Sequence, residues 1–123
     1  MADEITITLR LQCRNGAFTF DKSMTGIQLD QATARGGNPG VVNIGTSEED
    51  VAFGDLTDPA YILIRNLDAT NYVEFGMSDA GTMKSIGKIR PGGVALFERM
   101  TGKTLRMKAN TAAVDVEIYA LDR

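Results

Sequence analysis

The chain contains no histidine and a single cysteine, Cys13. Without histidine it lacks the usual general base, the usual activator of a serine or cysteine nucleophile and the commonest zinc ligand. Cys13 falls in register with apolar residues, which reads as a small buried hydrophobe, and a lone cysteine closes no intrachain disulfide. Met100-Thr101-Gly102-Lys103-Thr104 ends like a phosphate-binding loop. Phe97, however, stands where the first glycine of that motif belongs, and a strand-turn-strand context replaces the strand-loop-helix that it needs. Asp55, Asp58, Asp68 and Asp79 lie near turns without the ligand spacing of an EF-hand loop, so ordinary turn bonding accounts for them. These residues argue against an enzyme and call for no metal or cofactor.

Charge carries more information in its distribution than in its sum. The net charge of −3 argues against nucleic-acid binding, which needs an excess of Lys and Arg to neutralise phosphates. Residues 1–58 hold nine acids and four bases, whereas residues 84–108 hold seven bases and one acid. One reading of this block is solvated outward positions on strands. The other is a basic face that steers the subunit onto an acidic partner, with Lys84, Lys88, Arg90, Arg99, Arg106 and Lys108 as the contact residues. On that second reading, reversing the charge at Arg99, Arg106 or Lys108 weakens assembly.

The elements that must position these groups are strands. Ile5, Ile7, Leu9, Leu11 and Cys13 share one face of an alternating run, and Asn15-Gly16 offers a tight reversal into Phe18 and Phe20. Ile27 and Leu29 suggest a further strand after Thr25-Gly26, and residues 34–40, rich in Gly and Pro, read as a mobile loop. Thr46 to Asp50 has capping spacing for one helical turn. Residues 61–76 read as a central hairpin, with Ile62 and Ile64 on one strand, Val73 and Phe75 on the return, and Asn66, Asp68 and Asn71 between them. Gly87 marks a bulge or close approach in the next strand, Arg90-Pro91-Gly92-Gly93 a turn, and Val114, Val116, Ile118 and Ala120 one face of a long last strand.

About 8–10 short strands with turns at regular spacing, and no sustained helical period, predict an all-β fold: an antiparallel β-sandwich, jelly-roll-like, in a single domain spanning 1–123. The 43% hydrophobic content suffices for a core at this length. No run is apolar enough to suggest a membrane span, and the first residues lack the pattern of a signal peptide. The long first and last strands, if at sheet edges, would offer unpaired backbone to another subunit.

Three stretches resemble small virion structural proteins of tailed bacteriophages: Arg65 to Gly76, Ile89 to Phe97 and Lys108 to Val114. The resemblance implies a β-sandwich that acts by assembly in the virion, present in the host cytoplasm while particles form. It points first to a capsid decoration (cement) protein, a homo-oligomer that binds the major capsid protein or other virion proteins. A tail, fibre-base or head-completion subunit is the alternative, and a carbohydrate-binding β-sandwich is the reading from another class, kept open by Tyr61, Tyr72 and Tyr119.

Overall fold

Val114, Val116, Ile118 and Ala120 are fully buried while the residues between them face outward, which is the two-sided character that their alternation demands. The computed structural model, which describes residues 3–123, repeats this pattern in ten strands and no helix. In order they are β1 (Ile5–Asn15), β2 (Phe18–Leu29), β3 (Gly36–Ile44), β4 (Glu49–Asp50), β5 (Pro59–Asn66), β6 (Val73–Asp79), β7 (Thr82–Ile89), β8 (Val94–Glu98), β9 (Leu105–Ala109) and β10 (Val114–Asp122). They fall into two compact units, the first ending at Ala34 and the second spanning Arg35–Arg123. The single domain expected from the sequence is therefore two bodies.

The second unit is a jelly roll. Its sheets have the orders β3-β10-β5-β8 and β4-β9-β6-β7, all antiparallel. The outermost strands in sequence, β3 and β10, pair with each other, and so in turn do β4 and β9, β5 and β8, and β6 and β7. This is one long hairpin rolled up so that successive strand pairs enter alternate sheets. The core lies between the sheets, with Ile44, Ile62, Ile64 and Ile118 from one and Val73, Leu105 and Met107 from the other. Phe75 of β6 and Phe97 of β8 stack across it, their ring centroids 5.4 Å apart.

The first unit is a two-stranded antiparallel ribbon of β1 and β2, turned at Gly16 with φ of 58°. Phe18, Phe20, Ile27 and Leu29 belong to one continuous strand rather than two. Thr25-Gly26, expected to separate them, is a bulge opposite Thr8 at which the register slips, and Gly26 takes the positive φ that this requires.

Other expectations are corrected by the pairing. Residues 34–40 are not a loop, because Gly36 to Gly40 form the start of β3 along β10. The edge position explains why Pro39 is accepted there, since its missing N–H faces no neighbour. No helical turn follows Thr46, because Glu49 and Asp50 pair with Met107 and Arg106 instead. β5 and β6 do not form a hairpin: they lie in opposite sheets, and the polar segment between them is an arch over the core. β10 is not an edge strand, being flanked by β3 and β5. The irregularity expected near Gly87 is present as a register shift in the β6–β7 pair, with Ile86 the extra, exposed residue. The close backbone approach falls on its partner strand, where a Cβ at Gly76 would lie 2.0 Å from the carbonyl oxygen of Lys84.

Candidate functional site

The β1–β2 ribbon sorts its side chains by face. Register pairs Ile7 with Ile27, Leu9 with Met24 and Cys13 with Phe20, so these residues share one side, interrupted by Lys22 opposite Leu11. Arg10, Gln12 and Arg14 share the other with Ser23, Asp21 and Thr19. On that polar side Arg10 grips Asp21 through two hydrogen bonds, of 3.0 Å from Nε and 2.6 Å from Nη2, a solvent-exposed pair that adds little to stability. The apolar side is open to solvent in its outer part, from Leu9 and Met24 to the turn, where Leu11 is 69% exposed, Phe18 60% and Phe20 46%; towards its base Ile7 and Ile27 are half-buried and Ile5 is buried. Cys13, expected to be buried, is exposed for the same reason. A two-stranded ribbon is at best marginally stable alone in water, and a group of large apolar side chains left uncovered is the kind of surface that proteins use for contact.

The six candidate contact bases fare unequally. Lys84, Lys88 and Arg90 are exposed, and Lys88 holds its ammonium 4.7 Å from the centre of the Tyr72 ring. Lys88 and Lys108 flank Glu74 in register across β7, β6 and β9, which offsets their charge. Arg106 is half-buried, lies 3.4 Å from Asp50 and 3.9 Å from Glu48, and donates to the carbonyls of Gly81 and Glu48. Arg99 is 8% exposed and is spent inside the subunit, donating to the carbonyls of Pro59, Met100 and Lys103 and pairing with Asp58. Arg99 and Arg106 are thus structural ties and not a docking face. The basic block is local in sequence only, because folding brings Glu48, Asp50, Asp58 and Glu74 to it.

The Arg99 network closes a corner of the jelly roll. Arg123 donates to Asp58, to Glu98 and to the carbonyl of Arg99. The fully buried Asp122 carboxylate accepts the backbone N–H groups of Thr57 and Asp58 at 3.2 and 2.9 Å. A concavity of about 440 Å³ beside this corner is lined by Phe53, Arg99, Thr101 and Lys103. The guanidinium that an anion would need there already has its acceptors.

The three stretches that carry the resemblance come together at one end of the sandwich. Asn66, fully buried at the end of β5, donates from Nδ2 to the carbonyls of Asn71 (2.9 Å) and Ile89 (3.0 Å), and its Oδ1 accepts from the N–H of Asp68 (2.9 Å). Its backbone exchanges hydrogen bonds with Gly92 and Gly93, while Asn110 N–H donates to the Tyr72 carbonyl and Thr111 Oγ1 to Asn71 Oδ1. What these stretches share is the wiring that holds the arches of the roll.

In the same arch the Asp68 carboxylate accepts from the N–H groups of Asn71 (2.6 Å) and Thr70 (2.9 Å), and these bonds hold its pKa below the ordinary aspartate value. A lowered carboxylate pKa adds stability that is present above the ordinary value and lost as pH falls from there through the lowered native one. The stability difference between the wild type and Asp68→Ala, read from denaturant midpoints, is therefore expected to be full at neutral pH and to shrink in acid. A pH-independent difference would show that the charge of Asp68 is not what matters.

Among the described residues no group of three or more His, Cys, Asp or Glu is placed to hold a metal ion. Comparison of the chain with models of protein families, with curated proteins and with solved structures finds no match.

Proposed function

We propose that this chain is a structural protein of a tailed-phage virion, a capsid decoration (cement) protein that binds the assembled shell and stabilises it through protein–protein contacts. The observation that carries this reading is the amphipathic ribbon of β1 and β2, whose apolar face is open to solvent from Leu9 to the turn. A shell protein covers that face when the subunit docks. Because the covering surface exists only in the lattice, binding favours the assembled state by mass action, and many copies reinforce one another through avidity. The jelly-roll topology and the resemblance of the three arch stretches support the same class.

Two experiments test it. Electron cryo-microscopy of particles carrying a C-terminal label is expected to show density distributed over the head. Label at one vertex or along the tail would replace decoration with head completion or a tail role, and particles without label would overturn the virion reading. With shells in hand, the Leu11→Ser/Phe20→Ser variant is expected to bind at least about tenfold more weakly, since two large apolar side chains are each worth roughly 1.5–3 kcal/mol on burial. Its jelly roll should melt as in the wild type, because neither residue belongs to that core. Undiminished occupancy would remove the ribbon from the interface.

A further inference from the structure

Two rows in the middle of the outer face of the β3-β10-β5-β8 sheet are largely apolar where the outward positions of a sandwich are ordinarily polar. Ala95 and Phe97 of β8 pack on the core, so Val94 and Leu96 face outward, as do Leu63 and Arg65 of β5 and Glu117 and Tyr119 of β10. Register aligns these groups into rows across the four strands. One row reads Val41, Glu117, Arg65, Val94, and the next reads Pro39, Tyr119, Leu63, Leu96. Val41 and Val94 are 62% and 65% exposed, Leu63 and Tyr119 41% each. A shallow groove of about 220 Å³ runs between Leu63, Val94 and Tyr119.

We infer that this face is a surface through which two copies of the chain pair about a two-fold axis lying parallel to the strands between β10 and β5. The evidence for a second copy as the occupant is the charge pattern. Glu117 and Arg65 are register neighbours, yet among the described residues Arg65 forms no ion pair, and the Glu117 carboxylate instead accepts the Tyr119 hydroxyl at 2.9 Å. The stated axis sets β10 of one copy over β5 of the other and β3 over β8. Glu117 then meets the second copy's Arg65 twice, by symmetry, while Tyr119 covers Leu63, Val41 covers Val94 and Pro39 covers Leu96. A row that places an acid and a base on either side of its midpoint, with apolar residues outside them, is complementary to itself under that rotation alone. The β4-β9-β6-β7 sheet has no such symmetry: Arg106 lies against Glu48 and Asp50 of its own subunit, and the row Lys108, Glu74, Lys88 would set acid over acid and base over base about its midpoint.

The face spans about 14 Å across the strands, three spacings of about 4.8 Å. With only two rows along the strands, the contact is small, and the pairing is expected to be weak and to show itself only at high protein concentration. The inference is independent of the virion reading, because pairing needs no shell and is measured in its absence.

Sedimentation velocity on the full chain, across micromolar to millimolar concentrations, tests it. A reversible monomer–dimer equilibrium is expected. Arg65→Glu and Glu117→Arg should each weaken it at least about tenfold, and the combined Arg65→Glu/Glu117→Arg protein should regain it, because the pair is recreated with its signs exchanged. Val94→Lys, at a position whose exposure leaves the fold indifferent, should abolish the dimer without changing the melting temperature. A monomer at every concentration would overturn the proposal. So would a dimer that survives Val94→Lys but is lost with Leu11→Ser/Phe20→Ser, or a combined charge exchange that folds normally and stays monomeric.

Discussion

Arg99→Ala is expected to lower the stability of the jelly roll by about 3 kcal/mol, the lower end of the range for breaking a buried ion pair. The side chain is 8% exposed, and its guanidinium joins three segments: the entry to β5 at Pro59, the turn after β8 at Met100 and Lys103, and the Asp58 carboxylate. Alanine leaves those carbonyls without their donor in a place water reaches poorly. The figure stays at the lower end because Asp58 is partly exposed and keeps Arg123 at 2.9 Å. For a unit of this size the loss corresponds to a fall in melting temperature of roughly 12–24 °C, with the denaturant midpoint lowered and the slope unchanged. Arg99→Lys should recover little of it, since one ammonium cannot reach acceptors arranged for a planar fork. A variant that melts like the wild type but no longer assembles would return Arg99 to the role of a contact residue.

Asn66→Asp is expected to cost at least about 3 kcal/mol at neutral pH, although it changes no side-chain volume. The Nδ2 of Asn66 gives its two hydrogens to the carbonyls of Asn71 and Ile89, and the residue is fully buried. A carboxylate there would set negative oxygen against both carbonyls without solvent to relieve it. Burial and that repulsion raise the carboxyl's native pKa above its unfolded value, so the neutral form, which can still donate to one carbonyl, is favoured in the fold. The sign follows: the damage is smallest below the unfolded carboxylate pKa and grows as pH rises through the native one. Urea titrations of variant and wild type at pH about 4 and about 7 measure this. A penalty below 1 kcal/mol at neutral pH, or one that does not grow between the two, would show that the arch does not depend on Asn66 donating.

The two variants also mark where a reading of the sequence succeeds and where it stops. Asn66, Asp68 and Asn71 were recognisable as turn formers because their short side chains readily bond to nearby backbone and tolerate left-handed conformations. Which arch they serve was not recognisable, since Asn66 reaches Ile89, far along the chain, and the partners of β5 are β10 and β8 and not β6. In the same way Arg99 stood in a basic run whose acids, Glu48, Asp50 and Asp58, lie some forty to sixty residues earlier.

Alternation by itself determined that Ile62, Ile64, Val114, Val116 and Ile118 face a core, because a strand turns successive side chains to opposite sides whatever it pairs with. It determined equally that the chain is built of strands, and that Ile7, Leu9, Leu11 and Cys13 share a side, to which the pairing register then adds Phe20. The tertiary structure alone decided whether a shared apolar side is covered. In β10 it is, by the opposite sheet; in the outer part of the ribbon of β1 and β2, from Leu9 to the turn, it is not, and the period-two signal that builds a core in β10 lies open to solvent in the ribbon. Periodicity reports only a strand's own geometry, whereas burial depends on what a distant part of the chain, or another molecule, brings against it.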